Sequence, residues 1–196
     1  RMSKYNETGI STYTDIILGL VGETKVSFKK GINDLLCAGQ HGTINIYMCQ
    51  LLPNSEINWP EVKKEYEIDS RRVPVLLQHS CISERNIVEY TQVVISTKFM
   101  SFDDWKDMYL FSWVIQTFHC LGLTRYIAIF FKEFFGLSYN EFYSKFLEFI
   151  IDRKPDNLYK EYQSANELMM NWLNGESIGS IISEAGDIIW PSDEVS

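Results

Sequence analysis

One stretch near the start of the chain constrains the fold more than any other. Thr14-Asp15-Ile16-Ile17-Leu18-Gly19-Leu20 is a short, nearly continuous apolar run, and Gly22-Glu23 interrupts it. Such runs suit a strand covered on both faces, as in parallel sheets. Phe28, Ile32, Leu35 and Leu36 then recur at helical spacing, with Lys25, Lys29, Lys30 and Asp34 on the other faces. Gly39 supplies a C-terminal stop. A second apolar stretch, 43–52, ends at Pro53-Asn54. Strand, helix and strand within about forty residues is the spacing of a βαβ unit, whose crossover is expected to be right-handed.

Beyond this unit the pattern changes twice. Residues 54–87 read as irregular chain punctuated by Pro60 and Pro74, with a short helix over 61–66 opened by Pro60. Residues 88–98 are β-branched and partly alternating, which predicts a strand. From Ser101 onward the pattern predicts helices only. Ser101, followed by Asp103 and Asp104, caps a helix over 101–121. The next runs from Gly122 and Thr124 to Phe134 and stops at Gly136. Ser138 and Glu141 form a capping box for a third helix, to about residue 152, with Phe142, Phe146, Phe149 and Ile150 on one face. Pro155 opens a fourth, stopped by Asn174-Gly175. The chain therefore divides into an α/β part, 1–100, and a helical part with a tail, 101–196.

Composition narrows the function classes. The 196 residues suffice for a real core, and 45% hydrophobic with 22% charged residues is ordinary for a globular chain. A net charge of −8 argues against a nucleic-acid surface, because phosphate binding needs clustered Lys and Arg. Cys37, Cys49, Cys81 and Cys120 have wide, irregular spacings that match no zinc or cluster motif. They read as reduced thiols, which together with the polar N-terminal residues predicts a cytoplasmic location. The longest uncharged run, 108–124, contains Gln116, His119 and Gly122, and predicts a buried helix rather than a membrane span.

The Gly22-Glu23 turn is the feature with chemical promise. It joins the C-terminal end of a strand to the N-terminus of a helix, the edge where parallel α/β folds and barrels bind ligands. Free N–H groups at a helix start can meet polar ligand atoms, although a plain connecting turn explains the residues equally well. His41, in a helix-to-strand loop, reads as solvated. His79 and Cys81 read as an incidental pair, since no third or fourth ligand is evident. His119 reads as a hydrogen-bonded core residue, Arg71-Arg72 as solvent-facing, and Phe130, Phe131, Phe134 and Phe135 as helix–helix core.

Asp15-Ile-Ile-Leu-Gly19-Leu-Val-Gly22-Glu23-Thr24, followed by Ser27-Phe28, resembles the fifth-strand motif of radical-SAM enzymes. That motif runs from an acid through apolar residues to Gly-Leu-Pro-Gly-Glu-Thr and then Ser-Phe; Val21 stands where proline is usual. Leu36-Cys-Ala-Gly39 and Leu51-Leu-Pro53-Asn54-Ser55-Glu56 resemble the end of the next helix and the loop after the sixth strand. The nearest subgroup looks like the cobalamin-binding proteins labelled as oxidative cyclases of magnesium-protoporphyrin IX monomethyl ester. Met100-Ser-Phe-Asp-Asp-Trp105 is similar to the start of their C-terminal region.

The resemblance implies the C-terminal part of a partial (β/α) barrel followed by a helical region. It implies an enzyme that reductively cleaves S-adenosylmethionine and uses the resulting radical on a small-molecule substrate, in cyclase or methyltransferase chemistry, with cobalamin as methyl carrier or electron partner. Carried over, Ile17 and Gly19 line the adenine side, Leu52 and Pro53 close it, and Gly22 and Glu23 form the turn. Glu23 is expected to serve the helix N-terminus rather than catalysis. The family's Cys-x3-Cys-x2-Cys loop, which holds a 4Fe–4S cluster, is absent from this sequence. The chain is therefore expected to be inactive alone and to hold no cofactor or metal by itself, with the remainder of a parent chain as its partner. The reading from another class is a non-catalytic helical module for binding or assembly. A cut barrel also predicts an exposed sheet edge that pairs with another copy or hides under helices.

Overall fold

The computed structural model describes residues 8–9, 12–75, 89–176, 180–182 and 189–191. Strand β1 (Thr14–Leu18) pairs in parallel with β2 (Ile44–Met48), and helix α1 (Lys25–Cys37) forms the crossover. The register sets Asp15 opposite Asn45 and Ile17 opposite Tyr47. Thr24 caps α1 with a reciprocal box to Ser27. Phe28, Ile32 and Leu36 are its buried stripe.

Among the described residues, helices cover one face of this pair. Leu18, Ile44 and Ile46 are buried, while Asp15, Ile17 and Tyr47 are exposed. The fully covered strand expected from the apolar run is thus an alternating one. The reason is that α1 and helix α3 (Phe102–Val114) pack on the same side, and no described element lies against the other.

Beyond Met48 the chain hands the sheet onward. Cys49 N–H donates to Leu18 O at 2.8 Å, Val94 N–H donates to Cys49 O at 2.9 Å, and Leu51 N–H donates to Gln92 O at 2.9 Å. These bonds join the β2 extension to β4 (Tyr90–Ser96), which pairs antiparallel with β3 (Asp69–Pro74). A strand at 69–74 departs from the irregular chain expected there. Asp-Ser-Arg-Arg-Val-Pro has little strand propensity, and the pairing with β4 imposes the conformation. Helix α2 (Pro60–Glu65) starts at Pro60 as expected. No closed barrel forms among the described residues, and β1 carries no strand on its outer side among them.

The helical part follows its caps. Ser101 boxes with Asp104 to start α3, and Ser138 boxes with Glu141 to start α5 (Tyr139–Asp152). Helix α3 ends early, and Ile115–Cys120 continues as a π-helical segment. Helix α4 (Arg125–Phe135) ends at Gly136, whose φ of 68° supplies the left-handed C-cap. Helix α6 (Asn157–Leu173) begins at the Asp156 cap, two residues after Pro155, because the Asp156 carboxylate takes the Tyr159 N–H. Backbone strands β5 (Ser180–Ile182) and β6 (Ile189–Pro191) pair antiparallel in what the sequence marks as a tail.

Trp105, Met108, Phe111, Val114 and Ile115 are fully buried, so α3 and its π continuation form the axis of the core. Helices α1, α5 and α6 pack around α3. No single described helix is long and apolar enough to cross a membrane. The segment Phe102–Cys120 and α4 pass that test only together, and they meet at 94°.

The aromatic residues of α4 depart most from expectation. Phe130, Phe134 and Phe135 are exposed rather than helix–helix core, while Phe131, part-exposed, meets Phe142 of α5 at 5.8 Å between ring centroids; Ala128 is the buried residue of α4. Helix α4 meets α5 and the π segment along the face that carries Ala128 and Ile129, which leaves Phe130 and Phe134 facing outward.

Candidate ligand edge of the parallel strands

The turn after β1 is built from two glycines and a hydrogen bond. Glu23 N–H donates to Leu20 O at 3.1 Å, closing a four-residue turn. Gly22, at its third position, has φ of 88°. A left-handed third position is the mark of a type II turn, which prefers proline at the second position. Val21 holds that second position. Nothing lies within 4 Å of where a Gly22 Cβ would stand, so Gly22 is required by conformation alone.

Gly19 is required by both conformation and space. Its φ is 100°, and a Cβ there would stand 3.3 Å from Val94 O, 3.5 Å from Cys49 Cβ and 3.6 Å from Trp105 Nε1. The turn thus presses directly on the β2 extension and on the sheet partner behind it. Gly19–Glu23 and 49–53 therefore emerge at one edge, as the sequence reading expects of Ile17, Gly19, Leu52 and Pro53.

The loop after β2 is tightly held. Leu52 O accepts from Ser55 N–H at 3.1 Å, Ser55 Oγ at 2.8 Å and Asn58 Nδ2 at 3.2 Å. This fixes the backbone while leaving the Leu52 side chain 57% exposed. Pro53 is exposed as well. Ile17, 44% exposed on the bare sheet face, is likewise not core.

Glu23 sits one residue before the Thr24 cap, and α1 has no acid in its first turn. Its expected service to the helix N-terminus is therefore performed by Thr24. The Glu23 carboxylate instead takes the Gly19 backbone N–H, binding the two ends of the turn together. Burial pushes its pKa above the usual carboxylate range, and the Gly19 bond opposes this only in part. Glu23 Oε2 is buried with no hydrogen-bond partner, as is Trp105 Nε1.

Two further residues share the bare face. Tyr47, opposite Ile17, is 56% exposed. Asn45 Nδ2 donates to Asp15 Oδ1 at 2.8 Å one layer below. The alternation Asp15/Ile17 and Asn45/Tyr47 was available to find them, but reading the strand as covered on both faces concealed it.

His41 and His119 lie at the opposite end. His41 is not solvated as expected: its Nδ1 lies 3.1 Å from His119 Nε2. His119 is a hydrogen-bonded core residue, with Nδ1 2.7 Å from Tyr143 Oη. Nearby, Gln116 Nε2 donates to Ile44 O at the start of β2. Arg71 and Arg72 are exposed, as expected, and Arg72 lies over the Tyr90 ring at 4.1 Å. His79 and Cys81 fall outside the described residues.

Cys37 is exposed at the end of α1, Cys49 is buried in the sheet, and Cys120 ends the π segment. Among the described residues, no three His, Cys, Asp or Glu stand together as metal ligands. Burial pushes the Cys49 and Cys120 thiols up, away from the thiolate form that ligates metals.

The chain is similar to the cobalamin-dependent radical SAM methyltransferase TokK of Streptomyces tokunonensis, with 32% identity over 155 residues. It is similar also to the 2-(S-pantetheinyl)-carbapenam-3-carboxylate methyltransferase of Streptantibioticus cattleyicolor, with 33% identity over 156 residues. Each match covers 79% of this chain and 22% of the relative, so the chain spans about a fifth of the length of the curated relatives it matches. No family model matches.

Proposed function

We propose that this chain is the late-barrel and C-terminal segment of a cobalamin-dependent radical-SAM methyltransferase, and that its Gly19–Glu23 edge forms one wall of the S-adenosylmethionine pocket. The observation that carries the reading is the ligand edge itself. Gly19 has no room for a side chain, Glu23 Oε2 is buried without a partner, and the apolar side chains of Ile17 and Leu52 stand in solvent on the same sheet end. A flat, apolar ring with polar edges fits such a wall.

Methyl transfer is favoured over oxidative cyclisation because both relatives carry methyltransferase names. Bound S-adenosylmethionine, a 4Fe–4S cluster and cobalamin would supply the radical and methyl-carrying chemistry of the whole enzyme. The residues present fit the nucleoside and do not fit the cluster, since the described cysteines lie on three separate elements. In this chain Ile17, Leu52 and Pro53 offer apolar surface, Gly19 and Gly22 allow close backbone approach, and Glu23 holds the turn in shape. The rest of the parent polypeptide and a small-molecule substrate complete the site.

The test uses the whole polypeptide that carries this segment, reconstituted anaerobically with iron, sulfide and cobalamin. S-adenosylmethionine bearing a labelled methyl group should yield deoxyadenosine and labelled product. Leu52→Asp should weaken S-adenosylmethionine binding at least about tenfold, the effect of setting a charge against an apolar ligand face. A wild-type protein that forms no deoxyadenosine, or a Leu52→Asp protein with unchanged binding, would overturn the reading. The 196-residue chain alone is expected to cleave no S-adenosylmethionine.

A further inference from the structure

Two buried polar atoms from distant parts of the chain lie against Gly19. The Glu23 carboxylate takes the Gly19 backbone N–H. Its Oε2 is buried and meets no protein donor among the described residues. Trp105, on the first turn of α3, is fully buried, and its Nε1 meets no protein acceptor among them either. That nitrogen stands 3.6 Å from where a Gly19 Cβ would be. An indole N–H only donates, and an ionised carboxylate oxygen only accepts. The two atoms are therefore chemically complementary, and each is costly to leave unmet inside a protein.

We infer that Trp105 is a positioning residue for the ligand edge: one internal water accepts its indole N–H and donates to Glu23 Oε2, tying the first turn of α3 to the turn after β1. Val94 O, 3.3 Å from the same Cβ position, offers that water a second acceptor. A buried water typically makes about three hydrogen bonds, and these three atoms supply them. A bridge of this kind holds nearly as well as a direct hydrogen bond. That the edge takes S-adenosylmethionine rests on the reading above; the link itself does not.

Trp105 is a firm anchor. Its ring stacks with Phe102 at 6.3 Å and with Tyr109 at 5.7 Å between centroids. Lys25, the first residue of α1, pairs with Asp104 at 3.7 Å and with Asp107. Residues on both sides of the Thr24 cap are thus held to the same end of α3. The Lys25 pairs are partly in solvent and weaken with salt, whereas a buried link is screened far less. Because Glu23 also holds the Gly19 N–H, the position of Trp105 is felt along the whole Gly19–Glu23 turn. In this way the helical part of the chain shapes an edge that it does not itself line.

The test uses the whole polypeptide that carries this segment, labelled with nitrogen-15 at its indoles and free of ligand. The Trp105 signal is the one lost in Trp105→Phe. It should show cross-relaxation to a long-lived bound water, shift in Glu23→Gln, and stay in place in Glu133→Gln, a change on α4. Benzothienylalanine at position 105 keeps the ring size and puts sulfur where the indole has N–H. In the reconstituted protein it should weaken S-adenosylmethionine binding roughly fivefold, the net worth of one hydrogen bond, with the circular dichroism of wild type. An indole signal that ignores Glu23→Gln, or that meets no bound water, would overturn the inference. So would S-adenosylmethionine binding that the sulfur analogue leaves unchanged. The indole readout needs no ligand: a wild type that binds no S-adenosylmethionine yet shows the Glu23 response would sink the reading of the edge and leave the link standing.

Discussion

His41 Nδ1 and His119 Nε2 face each other across 3.1 Å, so one ring must donate and the other accept. His119 Nδ1 continues the chain to Tyr143 Oη at 2.7 Å, and Tyr143 Oη lies 3.3 Å from Thr124 Oγ1. Arg125 bonds the backbone carbonyls of His119 and Cys120 from the next turn. Two imidazoliums cannot share this geometry, because two N–H groups would then point at one another. The pair therefore joins the loop before β2 to the π segment and α5 only while it holds no more than one extra proton.

This predicts acid sensitivity. Burial, with His41 and Arg125 nearby, lowers the His119 pKa to about 3. His41 is lowered too, by burial and then by Arg125. A histidine of ordinary pKa in the unfolded chain then binds protons that the folded chain refuses. The stability from this pair is fully present above about pH 6.5 and is lost as pH falls toward 3, by about 3 kcal/mol for His119 at pH 4. Urea midpoints measured from pH 7 to pH 4 should fall steeply in wild type. They should fall less in His119→Gln, which starts lower but has no imidazole to charge. Parallel slopes would refute the assignment.

Gly19→Ala should destabilise the chain by roughly 1–3 kcal/mol, the usual cost of a side chain held at a left-handed backbone angle. The added Cβ also meets the Val94 carbonyl at 3.3 Å. Gly22→Ala, where the space is open, should cost less. Chemical denaturation of both variants checks the order, and equal losses would show that crowding against Val94 and Trp105 contributes nothing.

Glu23→Gln separates charge from hydrogen bonding. The amide oxygen can keep the Gly19 N–H while the buried charge disappears. Because the folded carboxyl pKa is raised, the wild-type group favours folding below its unfolded pKa and opposes it once ionised. The variant should therefore be more stable than wild type at pH 7 and similar at pH 4. Thermal melts at the two pH values give the comparison, and a variant less stable at pH 7 would show that the ionised form is the one the turn needs.

Local chemistry determined much of this molecule from sequence alone. The Ser101 and Ser138 caps, the Gly136 stop, the α1 stripe of Phe28, Ile32 and Leu36, and the strand–helix–strand unit with its Gly22-Glu23 turn all rest on residues within a few positions of one another. Contacts far apart in the chain decided the rest. Strand β3 exists because β4 pairs with it, not because Asp-Ser-Arg-Arg-Val-Pro prefers to extend. His41 is held by a ring 78 residues away. The outward face of the α4 stripe, and the bare face bearing Ile17 and Tyr47, depend on which side the neighbouring helices pack. An apolar side chain gives the same signal whether it meets a helix or solvent, because periodicity records which residues share a face and not what lies against it. That is why the residues gathered at the candidate edge were legible from sequence, while the orphaned Glu23 oxygen and the exposed Tyr47 beside Ile17 were not.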